Sequence, residues 1–237
     1  MFAIKVAGFT VGIDNKYDFV KRQCEKYIVS ASNCDFSVFC SDKELSFEKN
    51  DAGIEYPKGY TESICIYKRI CREIIKYDAF LLHSALVDVL GDGYAFAAKS
   101  GVGKSTHASM WKKCFGDSVK IVNGDKPILR FENGLLKAYG TPWCGKENQE
   151  ENMCTVLKNL CFIERSAENH IEKISKSDAA CRLMGQIFIP YDDAEGTAKT
   201  LELADRMLNI VDTWLLGCNI SEDAARLAYN VMSKERQ

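Results

Sequence analysis

Ala98–Thr106 reads A-K-S-G-V-G-K-S-T. This is the phosphate-loop pattern G-x-x-x-x-G-K-[ST], with Ala98 in the first glycine's place. Gly101 and Gly103 allow positive-φ backbone, so that successive N–H groups of Ser100, Gly101, Val102 and Gly103 can turn inward toward an anion. The loop is followed by helical text from Lys104 to Cys114, whose N-terminal dipole favours negative charge. In such a cradle Lys104 reaches the β- and γ-phosphates, the Ser105 hydroxyl ligates Mg²⁺ and Thr106 holds the α-phosphate. The pattern therefore predicts a site for ATP or GTP with Mg²⁺. A plain glycine-rich turn is the competing reading, but a strand before the loop and a helix after it are what the cradle requires.

Outward from the loop, Y-A-F-A-A (94–98) reads as the feeding strand. Before it, F-L-L-H-S-A-L-V-D-V-L (80–90) reads as one strand turning back through Gly91-Asp92-Gly93, a hairpin signal. Further upstream, Ile64, Tyr67, Ile70, Cys71, Ile74 and Ile75 recur at helical spacing over 61–77, with Thr61 as the expected N-cap. Downstream, V-K-I-V-N-G-D (119–125) is a strand ending in an acid. K-P-I-L-R-F-E-N-G-L-L-K-A-Y-G (126–140) is a hairpin turning at Glu132-Asn133-Gly134. A strand over 157–164 follows, then helices over about 176–186 and 194–208, a strand over 213–218 and a helix over 221–233 capped by Ser221. Residues 1–58 alternate short β-rich runs (F-A-I-K-V-A-G-F-T-V, D-F-S-V-F-C) with a charged stretch around Phe19–Tyr27. The expected organisation is a small α+β lead-in over 1–58 and a nucleotide-binding domain over 59–237.

Composition narrows the partners. The 237 residues are 46% hydrophobic, enough for a sizeable core, and carry a formal charge of −2 with a pI near 6.0. There is no basic footprint for nucleic acid or an anionic membrane. No run approaches the length of a bilayer span, and Met1–Asp14 lacks the pattern of a signal peptide, so a cytoplasmic location is expected. The eleven cysteines contain no C-x-x-C pair and no zinc spacing with histidine. They read mostly as small buried apolar residues.

The chemistry needs a second group. Asp125, at the end of the strand after the loop helix, can hold Mg²⁺ or take the proton of an attacking hydroxyl. Taken together, H-S-A-L-V (83–87), the G-D-G turn, S-G-V-G-K-S-T and V-N-G-D resemble the catalytic domain of the HPr kinase/phosphorylase family, relatives of the phosphoenolpyruvate carboxykinases. The resemblance covers residues 78–130 well. It extends loosely toward the C-terminus through G-T-P-W-C-G-K-E (140–147), a segment associated with small relatives of these kinases. It implies an α/β P-loop kinase fold with a mixed central sheet and flanking helices. It also implies that His83 tunes the carboxylate and the γ-phosphate, and it leaves a homo-oligomer open. Where the family has an acidic pair, this chain has Gly124 and Asp125, so the two acidic duties cannot be divided and phosphorolysis is not expected.

In the 140–147 segment, Trp143 offers an apolar wall, Lys146 a charge beside the transferring group, and Glu147 a carboxylate for Mg²⁺ or the acceptor. A buried tryptophan and a surface ion pair are the alternative reading. Asn148, Glu150 and Glu151 are candidates for substrate contact. Cys144 is assigned no chemistry, and His107 and His170 read as surface or packing residues. The sum is an ATP-dependent phosphotransferase (EC 2.7 class) acting on a hydroxyl of a peptide, small protein or small molecule. Asp125, His83 and Lys146 would be its catalytic groups, and Ser105, Asp125 and Glu147 its metal ligands. A nucleotide-binding regulatory protein and an ATPase stay open as alternatives.

Overall fold

A computed structural model of the chain describes residues 1–51 and 56–234. Residues 52–55 and 235–237, which fall within the two expected units, lie outside the described residues. The chain opens with a four-stranded sheet. β1 (Phe2–Val6) and β2 (Phe9–Asp14) form a hairpin, turning at Ala7 and Gly8 with φ of 50° and 82°. The helix α1 (Asp18–Gln23) and a 3₁₀ turn (Glu25–Tyr27) occupy the charged stretch. β3 (Ile28–Val29) and β4 (Phe36–Phe39) complete the order β3-β1-β2-β4. After α2 (Asp42–Asp51) comes α3 (Lys58–Ile74), whose buried Ile66, Ile70, Cys71 and Ile74 share one core with Ile4, Val11 and Ile13 of the first sheet. Thr61 does not cap this helix. Pro57 precedes it, and the Thr61 hydroxyl sits inside the first turn, donating back to the Pro57 carbonyl.

The second sheet is mixed and nine-stranded. It contains β5 (Ala79–Leu81), β6 (Ser84–Val89), β7 (Asp92–Ala97), β8 (Val119–Asn123), β9 (Ile128–Glu132), β10 (Leu135–Tyr139), β11 (Cys154–Arg165), β12 (His170–Lys173) and β13 (Asp212–Cys218). The order runs β5-β9-β10-β11-β7-β6-β8, with β13 and then β12 beyond β11. The twelve-residue β11 serves as the spine, pairing in parallel with both β7 and β13. The helices are α4 (Lys104–Phe115), α5 (Lys176–Leu183), α6 (Ala194–Ile210) and α7 (Glu222–Lys234).

Two-residue alternation explains the layers. On β7, Ala95 and Ala97 face the core under α5 and α6, while Tyr94 and Phe96 face the core under α4 and α7. With both faces covered, the central strands read as nearly unbroken apolar text. That is why residues 80–90 look like one strand although they form two. The chain changes partners at Leu82 and His83, with Leu82 bridging to Ile187 and the His83 N–H donating to the Gln186 carbonyl at 2.6 Å. The hairpin after β6 turns at Leu90-Gly91 (φ of 55° and 97°), slightly earlier than Gly91-Asp92-Gly93 suggests. The turn at Asn133-Gly134 (51° and 78°) is where Asn-Gly places it. Ser221 caps α7, its hydroxyl accepting from the Ala224 N–H. His170 lies at the start of β12, its ring against Gly217.

The two sheets are pinned together by Arg130 on β9. Its guanidinium donates to the Ala7 carbonyl at 2.9 Å, lies 4.0 Å over the Phe9 ring and pairs with Glu132. No described helix is long and apolar enough to cross a membrane.

Candidate functional site

The glycine loop joins β7 to α4 over residues 98–103. Gly101 and Gly103 have φ of 79° and 129°. A Cβ at either would meet nothing within 4 Å, so backbone conformation and not crowding demands glycine there. The N-terminus of α4 has no side-chain cap, which leaves its first N–H groups to the space over the loop. Arg165, at the end of β11, donates to the Gly101 carbonyl at 2.6 Å and to the Val102 carbonyl at 3.4 Å. With its carbonyls drawn toward Arg165, the loop is held from outside. Sequence reading missed this residue because it lies about sixty positions away. Ala98, in the first glycine's place, is buried, and its carbonyl accepts from Lys104 Nζ at 3.2 Å.

Four charged or titratable side chains converge beside the loop. His83 Nε2 stands 3.0 Å from Asp125 Oδ1 and 3.2 Å from Lys104 Nζ, and Lys126 Nζ stands 3.1 Å from Asp125 Oδ2. One ring nitrogen cannot donate to the carboxylate and accept from the ammonium together. With the proton on Nε2, His83 donates to Asp125, and among the described residues Lys104 keeps only the Ala98 carbonyl as acceptor. Burial depresses the Lys104 pKa despite the nearby carboxylate. Burial alone would raise the Asp125 pKa, but the His83 hydrogen bond and the Lys126 charge outweigh it and hold the carboxyl at about 2.

Asn123, fully buried at the end of β8, builds the turn that aims Asp125. Its Oδ1 accepts from the N–H groups of Asp125 at 2.8 Å and Lys126 at 2.6 Å, while its amide nitrogen donates to Thr141. Asn two positions before Asp is the sequence signal for such a turn. The position before Asp125 has no room for a second acid. A Cβ on Gly124 would lie 2.8 Å from the Cys144 carbonyl and 3.4 Å from that of Gln149. The Gly124 carbonyl accepts from the Ser105 hydroxyl at 3.2 Å, so Ser105 lies one residue along the backbone from Asp125.

The 140–147 segment presses on this turn from behind. Gly145 (φ 81°) abuts Asp125, a Cβ there falling 3.1 Å from the aspartate Cβ. Trp143 is not an open wall. It is 2% exposed, stacked on Tyr67 at 4.4 Å, and donates to the Ser63 hydroxyl at 2.9 Å. Lys146 and Glu147 are exposed, and neither makes an ion pair or hydrogen bond with a described residue. The surface ion pair of the alternative reading is therefore not formed, and the ammonium set on Asp125 is that of Lys126. Glu150 pairs with Lys26 at 2.9 Å, Glu151 shares backbone bonds with Val122 and Met153, and Asn148 is exposed at φ 48°. Burial pushes the Cys144 thiol up to about 11, leaving it unreactive. His107 is a packing residue. It is 5% exposed, lies edge-on to Phe96 and accepts from the Trp111 indole at 2.9 Å.

Two clefts flank the loop and the charged cluster. One of about 510 Å³ runs along α4, walled by Val102, Thr106, Met110, Arg165, Asn219 and Ile220. Another of about 270 Å³ lies between α3 and residues 185–188, with His83 and Lys126 in its wall.

No family model matches the chain, and no curated protein does. Among solved structures it is similar to the Hpr(Ser) kinase/phosphatase from Coxiella burnetii. The identity is 10%, the match covers 66% of this chain and 90% of that one, and the TM-score is 0.39. A likeness this distant does not bear on activity.

Proposed function

We propose that the chain is an ATP- or GTP-dependent phosphotransferase that moves a γ-phosphoryl group to a hydroxyl. The observation that carries this reading is the convergence of Lys104, His83 and Asp125 where the loop and helix α4 meet the end of β8. The larger cleft, adjoining Val102, Gly103 and Thr106, suits the nucleoside, with its triphosphate over the free N–H groups of the α4 terminus. Lys104, poorly satisfied in its contact with His83, is available to phosphate oxygens.

Mg²⁺ is tested by the donors present. Ser105 and Asp125 offer one hydroxyl and one carboxylate, and among the described residues there is no cluster of three metal-ligating side chains. That set fits Mg²⁺, which keeps several waters and binds through one or two carboxylates and phosphate oxygens. When bound there, it would neutralise charge on the phosphates. Glu147 is exposed and makes no hydrogen bond or ion pair with a described residue.

The acceptor oxygen bonds to the γ-phosphorus as the bond to the β–γ bridging oxygen breaks. The nucleoside diphosphate leaves with that electron pair, and the hydroxyl proton passes to Asp125 or to water. A carboxyl held at about 2 is a weak base, so Asp125 orients the hydroxyl more than it deprotonates it. His83 fixes the carboxylate, and Lys104 stabilises charge on the group in flight.

The same low value favours a second reading, a nucleotide-binding regulator with little turnover. Incubation with γ-labelled ATP and a broad acceptor panel separates the two. The phosphotransferase reading expects transfer by the wild type and a loss of about a hundredfold or more in Asp125→Asn with nucleotide affinity retained. Equal nucleotide binding by both proteins with no transfer by either would leave the regulator.

A further inference from the structure

We propose that Arg165 is a positioning residue: it locks the glycine loop in the backbone arrangement that receives a polyphosphate, acting through the loop and not on the nucleotide. The proposal rests on the phosphotransferase reading, which puts a triphosphate on this loop.

The loop needs such a brace. Val102 lies between Gly101 and Gly103, whose φ of 79° and 129° glycine alone adopts readily. Glycine on both sides also leaves the two intervening peptide units free to rotate, and nothing within 4 Å of either Cβ position restrains them by crowding. A loop that rotates must be ordered by its ligand, which weakens binding.

Arg165 restrains both units. Its Nη2–H donates to the Gly101 carbonyl at 2.6 Å and its Nε–H to the Val102 carbonyl at 3.4 Å, so one edge of a planar guanidinium spans two consecutive peptides. In a trans peptide the N–H points opposite to the carbonyl. Drawing these carbonyls toward Arg165 therefore turns the N–H groups of Val102 and Gly103 away from it. The Lys99 carbonyl receives the Val102 N–H at 3.2 Å, which clamps the first unit at both ends. The Gly103 N–H has no partner among the described residues and is the group the second unit offers to an anion.

The brace itself is anchored. β11 runs three residues past its last pair with β7, which joins Phe162 to Ala97, and over Ile163–Arg165 it stays paired to β13. Arg165 is thus carried by a sheet strand and not by a loop. No described carboxylate pairs with its guanidinium, and the neighbouring Glu164 pairs with Arg182. Among the described residues the two loop carbonyls are its only acceptors. Arg165 also lines the larger cleft, so direct contact with a nucleoside is the rival role.

The test is calorimetric binding of ATP and of inorganic triphosphate, each with Mg²⁺, to the full chain and to Arg165→Lys and Arg165→Met, with amide order parameters of Val102 and Gly103 from NMR relaxation. Affinity for both ligands should fall by about ten- to thirtyfold in Arg165→Met. Arg165→Lys should recover less than about threefold of this, because an ammonium has no planar edge to span both carbonyls. In the ligand-free variants the order parameters should drop from about 0.85 to below about 0.6, with a melting temperature within about 2 °C of wild type. Arg165→Lys, which keeps the charge and the stem, decides if Arg165→Met does not fold. Full rescue by lysine would make charge alone the agent and overturn the proposal. Unchanged order parameters would also overturn it, as would lost ATP affinity with triphosphate affinity intact, which would put Arg165 on the nucleoside. Wild-type binding of both ligands, equal in both variants, removes the brace and keeps the phosphotransferase reading. Wild-type binding of neither removes both.

Discussion

The glycine loop and the packing behind Asp125, at Gly124 and Gly140, use glycine for opposite reasons. At Gly101 and Gly103 nothing lies within 4 Å of a Cβ, and a positive φ is what requires the residue. At Gly140 a side chain would run into the backbone of Glu151 and Val122, and at Gly124 into that of Cys144. The first region keeps its surface clear. The second is packed hard against its neighbours and works by holding the Asp125 turn in place.

The sharpest way to break this contrast is to exchange the expected consequences. Lys104→Met should cost about a thousandfold in phosphoryl transfer with a near-normal melting temperature, measured by labelled-ATP assay and calorimetry. Trp143→Ala should do the reverse. Stability should fall by about 3–5 kcal/mol in denaturant titrations, while nucleotide affinity below the transition stays within about threefold. A Trp143 that faced a substrate would instead raise KM and leave stability alone. Gly124→Ala should destabilise by about 2 kcal/mol through overpacking. Gly101→Ala should weaken nucleotide binding through backbone strain with a smaller loss of stability.

His107 gives a pH-dependent test of the loop helix from its buried side. Burial lowers its pKa to about 4, so the unfolded chain binds a proton that the folded chain refuses between about 6.5 and 4. Stability from this group is complete above about pH 6.5 and declines as pH falls toward 4, by on the order of 2–3 kcal/mol. Denaturant titrations from pH 7 to pH 4 should show the decline, and His107→Phe should flatten it. Smallest of all, Lys146→Ala should change transfer by less than about threefold, because its ammonium makes no contact with Asp125. A hundredfold loss there would mean that the segment closes over the site when nucleotide binds.

How much was legible in the sequence depends on how local each feature is. The glycine turn between β7 and α4 and the Asn133-Gly134 turn are set by backbone preferences of adjacent residues, and both were legible. The break at His83 was not. Phe80–Leu90 is apolar throughout because both faces of the sheet are covered, and the change of partner comes from Gln186 and Ile187, about a hundred residues away. For the same reason Trp143 reads in the sequence as a wall, with burial only as the alternative, and Arg165 carries no signal there. A tryptophan beside Lys and Glu looks like a binding wall until Tyr67 and Ser63 are seen around it, and an arginine at a strand end acquires meaning only from the loop it holds. Asn123 was legible in principle, since Asn-Gly-Asp is turn text, but its carbonyl reaching two N–H groups required the turn itself.

Helix α3 packs its buried face into the first core, together with the N-terminal sheet, while Ile64, Tyr67 and Cys71 of the same helix line the smaller cleft. The glycine loop, Lys104 and Arg165 belong to the other sheet. The cleft is thus a seam between two stretches of chain, because Leu81, His83, Lys126 and residues 185–188 supply its other wall. Substitutions in the first core can therefore reach His83 and Lys126 through the wall they share with α3.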